Sequence, residues 1–231
     1  MKRSLSLSLI ALFAALNVAC DAIVIPQLSS SVWYGLIFLL EPINGIVLGP
    51  YTGALSTLIG VLAGHIITPR GFEEFLFTLG APVGAMVSGF VFRGKLKTIF
   101  FYYAALLAFF FATPVSWQLP FYGMWDVYLA FISLLFMIVI VNRKGSFSKK
   151  DNIRRLLVLS AFIGLEADIL FRIFIFIPGQ TYRWLYGIPV DVLQIIWVTG
   201  AFITPIKVAV SIVLTTIVGR QVIKILNEHA T

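Results

Sequence analysis

Seven ionisable residues stand inside long apolar runs of this chain: Asp21, Glu41, Asp126, Glu166, Asp168, Arg172 and Lys207. A charge in hydrocarbon is costly, so each is a candidate ion pair, ligand contact or proton carrier. Asp168 and Arg172 are four residues apart, on one helical face, and are predicted to pair. Glu166 points about 200° around the helix from Asp168 and cannot share that pair. Glu166 and Lys207 each lie roughly 11 or 12 residues from one end of their apolar runs, near mid-depth at about 1.5 Å per residue. They either pair with each other or face a polar cavity that holds a ligand. Glu41 precedes Pro42, which breaks or kinks a helix and frees backbone carbonyls, with Asn44 as further polar lining. Asp21 stands near the end of its run and is read as solvated.

A second set is aromatic. Trp33, Tyr34, Trp117, Gln118, Tyr122, Trp125 and Asp126, then Tyr182, Trp184 and Tyr186, flank the apolar runs. Singly they form an interfacial belt. Together they could roof a pocket for a small organic ligand, with the Gly/Pro-punctuated segment 178–193 as a lid.

These residues need elements to hold them. Of 231 residues, 60% are hydrophobic and 12% charged, and the mean hydropathy is +0.99. A soluble domain carries roughly 25% charged residues. The composition therefore excludes a soluble enzyme, a disordered chain and a nucleic-acid-binding module. Eight candidate spans are read at 4–24, 32–48, 51–68, 74–92, 98–116, 121–141, 156–177 and 195–219. They make an all-α membrane bundle of six to eight transmembrane helices in one integral domain, 1–231. Helices satisfy their own backbone, as lipid requires.

The net charge of +7 is a topology signal rather than a nucleic-acid one. With both termini cytoplasmic, 13 of the 17 basic residues fall on the cytoplasmic side: Lys2, Arg3, Arg93, Lys95, Lys97, Arg143, Lys144, Lys149, Lys150, Arg154, Arg155, Arg220 and Lys224. Only Arg70 and Arg183 fall on the other side. The segment ending Asn17-Val18-Ala19-Cys20 also resembles a lipoprotein signal, but Asn17 stands where a branched apolar residue is expected, and the first helix is read as retained.

No internal disulfide is open to the single Cys20, and His65 and His229 are too far apart in sequence for a His/Cys metal cluster. His-Glu-x-x-His, Gly-x-Ser-x-Gly and a phosphate-binding glycine loop are missing. The chain is thus read as a non-enzyme without a cofactor, and pumping would need an energising partner. Small residues recur at spacing four: Ala11, Ala15 and Ala19, then Gly45, Gly49 and Gly53, Gly60 and Gly64, and Gly80 and Gly84. Such faces admit close helix packing within the chain or against a partner.

The chain resembles the substrate-binding membrane subunits (S components) of energy-coupling-factor transporters. The resemblance rests on Ala11-x-x-x-Ala15-x-x-x-Ala19 and on Gly49-Pro50-Tyr51-Thr52-Gly53 with Gly60 and Gly64. It also rests on Ala81-Pro82-Val83-Gly84 through Gly89, and on Pro205-Ile206-Lys207 with Ser211. It covers 4–93 and 197–226. The family has six helices, and the surplus falls in the extra or divergent stretch 98–177. The resemblance implies a prokaryotic cell-membrane carrier for a vitamin or related micronutrient. Its partners would be a transmembrane coupling subunit, docked on Ala11, Ala15 and Ala19, and cytoplasmic ATPases. Lys207 stands where the family often places a lysine facing its ligand; no pocket residue carries over in 98–177, and Glu166, Glu41 and Asn44 as polar lining, with Trp125, Asp126 and Trp184 at the aromatic side, are read from the residues themselves. The alternatives are a self-contained proton-coupled secondary transporter using Glu166 or Asp168, and a lipid-modifying membrane enzyme with Asp126 and Glu166 as acid and base.

Overall fold

The computed structural model describes residues 3–23, 35–69, 71–144 and 149–228. Lys2, Trp33, Tyr34, Arg70 and His229 lie outside the described residues. Among those described there is no β-strand. Ten α-helices follow in order: α1 Arg3–Ala22, α2 Glu41–Leu48, α3 Pro50–Ile67, α4 Phe72–Thr78, α5 Gly80–Phe92, α6 Leu96–Ala112, α7 Trp125–Lys144, α8 Lys149–Phe176, α9 Thr181–Trp184 and α10 Val190–Glu228. Among the described residues four helical stretches, Pro50–Ile67, Glu74–Phe92, Phe121–Arg143 and Val190–Leu226, are long and apolar enough to cross a membrane.

The expected span 32–48 is the element that departs most from its reading. Its helical part is a short 3-10 turn at Ile37–Leu39 followed by α2, eight residues long. At about 1.5 Å per residue, α2 is roughly 12 Å long and cannot cross a bilayer unaided. Pro42 fits because it occupies the first turn of α2, where no intrahelical donor is needed. The helix stops at Gly49, whose φ of 107° favours glycine.

Close contacts fix helix directions. Asn17 faces Gly60 and Asp21 faces Gly64, so α1 and α3 run parallel. The Ser56 hydroxyl donates to the Ile10 carbonyl at 3.1 Å along the same seam. Gly45 of α2 lies against Ala85 and Gly89 of α5, with a backbone approach only glycine permits. Antiparallel to α5, the central α8 lies so that Gly80 faces Asp168 and Gly84 faces Gly164. Tyr102 and Tyr103 of α6 donate to the Ala167 and Ile163 carbonyls of α8 at 2.7 and 2.6 Å. The paired glycines read from the sequence thus seat polar side chains of neighbouring helices.

α10 contains Pro205, which has no N–H to offer the Ala201 carbonyl one turn back. The Trp125 indole donates to that carbonyl instead, at 3.0 Å. At the opposite end, Arg93 donates to the Gly45 and Gly89 carbonyls at 3.2 and 3.1 Å, closing the C-termini of α2 and α5 together.

Candidate functional site

The structure distributes the predicted polar residues over three places. The first is the α1–α2–α3 seam. Asn44 donates through Nδ2 to Asn17 Oδ1 and to Thr57 Oγ1, both at 2.8 Å. Asp21 is buried here, against the expectation that it is solvated. Its carboxylate lies 3.1 Å from His65 Nδ1, and His65 Nε2 lies 2.8 Å from the Thr78 hydroxyl. The reason is Gly64: its missing side chain lets α1 come close enough to bury Asp21 beside α3.

The second place is the centre of the bundle. Arg172 grips Asp168 with Nε at 2.6 Å and Nη2 at 2.9 Å, the pair expected from their spacing. Glu41 sits beside this pair, its carboxyl against Gly84. Glu166 faces away from it, with Tyr103 and Asp126 among its polar neighbours. Glu41 and Glu166 are both 0% exposed; the Glu41 carboxyl lies against that of Asp168, and neither Glu166 carboxyl oxygen has a hydrogen-bond partner among the described residues. Glu166 and Lys207 therefore do not pair. Lys207 Nζ lies 6.0 Å from the Phe38 ring centroid, and Ser211 one turn on donates to the Phe38 carbonyl at 2.6 Å.

The third place is a cavity of about 70 Å³ at the ends of α7, α8 and α10 remote from Arg93. Asp126, Arg172, Thr204 and Gly200 line it, with walls from Phe77, Phe176 and Trp197. Asp126 Oδ1 accepts from the Val127 N–H at 3.0 Å, while the buried Oδ2 has no hydrogen-bond partner among the described residues. Trp197 is fixed on three sides. Its ring lies on Gly123, stacks on Phe110 at 5.6 Å with 2° between planes, and donates to the Pro120 carbonyl at 3.1 Å.

A carboxylate oxygen needing a donor, between rigid aromatic walls, suits a small organic group bearing a cation or N–H. A ligand pocket of the usual kind encloses roughly 300–1,000 Å³. The cavity therefore holds only part of a vitamin-sized molecule unless α10 moves away from α8.

Of the predicted site residues, Asp126 alone lines this cavity. Trp125 supports α10 from outside, and is 46% exposed. Trp184 is 64% exposed and donates to the Gly179 carbonyl at 2.9 Å, at the rim of the bundle. Ala11, Ala15 and Ala19 are exposed on the outer face of α1, opposite Asn17 and Asp21. Trp197, Phe77 and Phe176 were missed because a single aromatic within an apolar run carries no signal of its own. Gly123, two residues before Trp125, is the trace the sequence does hold of a large ring seated there.

Comparison with protein-family models, with curated proteins and with solved structures finds no match to this chain.

Proposed function

We propose that the chain is the membrane-embedded substrate-binding subunit of an importer of the energy-coupling-factor type, for a vitamin or related micronutrient. Both termini lie in the cytoplasm of a prokaryotic cell, and a coupling subunit with paired ATPases energises it. The observation that carries the reading is the cavity beside Asp126, whose buried oxygen lacks a donor while Trp197, Phe77 and Phe176 wall it. It lies away from the end where Arg93, Arg154 and Arg220 gather, so on the positive-inside rule it opens toward the outer side. A further support is the division of α1 into a polar face locked on α3 and a bare alanine face turned outward. Asp126 contacts the ligand, Trp197 stacks on it, and Trp125 holds the α10 segment that forms one wall.

The test is mass spectrometry of the small molecule that copurifies with the protein. D126A and W197A are expected to lower its occupancy at least about tenfold, the worth of one good charged contact. Equal occupancy in both variants would remove this cavity from substrate binding.

A second reading rests on Glu166. A buried carboxyl without a hydrogen-bond partner among the described residues suits a self-contained, proton-coupled secondary transporter. It predicts uptake that collapses with a protonophore and survives ATP depletion, the reverse of the first reading.

A further inference from the structure

The geometry points to a binding site for the phosphate of an anionic phospholipid, in the groove between the first turns of α8 and the last turns of α10. The groove has a volume of about 450 Å³ and is lined by Arg154, Thr216, Ile217, Arg220, Gln221 and Lys224. Thr216, Arg220 and Lys224 follow at spacing four, so they share one face of α10. Arg154 approaches from α8. Beside the groove the helices close on each other: a methyl on Gly219 would lie 3.6 Å from Leu157.

Three cations thus converge from two helices, and little opposes them. Lys224 has Glu228 at 3.8 Å, and both are exposed. Neither Arg154 nor Arg220 has a carboxylate partner among the described residues. Guanidinium groups match phosphate oxygens in pairs, and the Thr216 hydroxyl and Gln221 amide supply neutral donors beside them.

The surroundings select a lipid over a free anion. Away from the basic end, the same face of α10 continues into Val213 and Ile217, both exposed and apolar. They offer a track for an acyl chain directly below the phosphate. α10 has 39 residues. At about 1.5 Å each it is roughly 58 Å long, more than the 40–45 Å of a whole bilayer. Its last turns therefore reach headgroup level, where basic pockets between helices take anionic lipids. The site requires only that the chain sits in a membrane and is independent of the transport reading.

The experiment is native mass spectrometry of the full chain, released from nanodiscs of equal phosphatidylcholine and phosphatidylglycerol. The wild type is expected to retain phosphatidylglycerol in at least about fivefold excess. R154A/R220A should return retention to the bulk ratio, whereas R154K/R220K and the surface control K97A/R143A should keep the excess. If R154A/R220A fails to fold, R154Q and R220Q singly should each lose at least half of it. The site is refuted by a wild type without enrichment, or by an equal loss in K97A/R143A, which would be surface charge alone. Displacement of the lipid by millimolar glycerol phosphate would equally refute it, showing an anion site indifferent to the acyl chains.

Discussion

Arg172 and Asp168 show what a charge needs in order to persist inside this bundle. Two short hydrogen bonds join them, and Gly80 of α5 leaves the space they occupy. Removing one partner strands the other, so R172A is expected to destabilise the protein by about 3–5 kcal/mol. D168A/R172A should recover more than half of that loss in thermal melts. Glu166 is the opposite case, a buried carboxyl with no hydrogen-bond partner among the described residues. Glu166→Met is expected to raise stability by about 1–3 kcal/mol, the cost of an unsatisfied buried polar group. Unchanged or lower stability in that variant would mean that Glu166 has a partner in the membrane. The 168/172 pair was legible because four residues make one helical turn. The angular isolation of Glu166 was legible for the same reason. The burial of Asp21 was not. Its partner His65 is 44 positions away, and no local pattern ties an aspartate at the end of one run to a histidine at the end of another.

At the scale of the element, α10 is held in shape by a residue from α7. Trp125 supplies the donor that Pro205 withholds from Ala201. W125F is expected to cost about 1 kcal/mol, a typical net hydrogen bond. With P205A present the backbone donor returns, and W125F should then cost markedly less. A double-mutant cycle in melting experiments measures that coupling. The glycines separate in the same way. Gly45 lies within backbone contact of α5, so G45A should destabilise by about 1–3 kcal/mol. Gly200 has open space where its side chain would be. G200A should be neutral or stabilising by up to about 1 kcal/mol. Hydropathy placed helical structure in seven of the eight expected spans, because apolar length is a local property, but α8 begins seven residues before its expected start and α10 extends five and nine residues beyond its expected ends. It did not show that the stretch before Gly49 contains only the short α2. An apolar segment broken by a turn has the same composition as one unbroken helix.

Among the described residues the whole molecule is a helical bundle that buries polar groups within an apolar core and leaves many large apolar side chains exposed, a surface compatible with a membrane. Its centre, around α5 and α8, was visible in the sequence as glycines and charges. Which of those charges border a cavity was not, because that depends on the packing of aromatics from α4, α8 and α10. The outward alanine face of α1 bears most directly on the proposed importer. A partner can approach there closely, and the opposite face is already committed to α2 through Asn17 and to α3 through Asp21 and His65. The most direct measurement is purification from native membranes through this chain, followed by quantitative mass spectrometry of what accompanies it. The wild type is predicted to bring down a membrane coupling protein and paired ATPases in fixed ratio. A15W should lose them while melting at the same temperature and keeping its bound small molecule. L62W, placed on an exposed part of α3, should keep all of them. A wild-type chain that carries no ATPase, or an A15W variant that still carries the full set, would contradict the account.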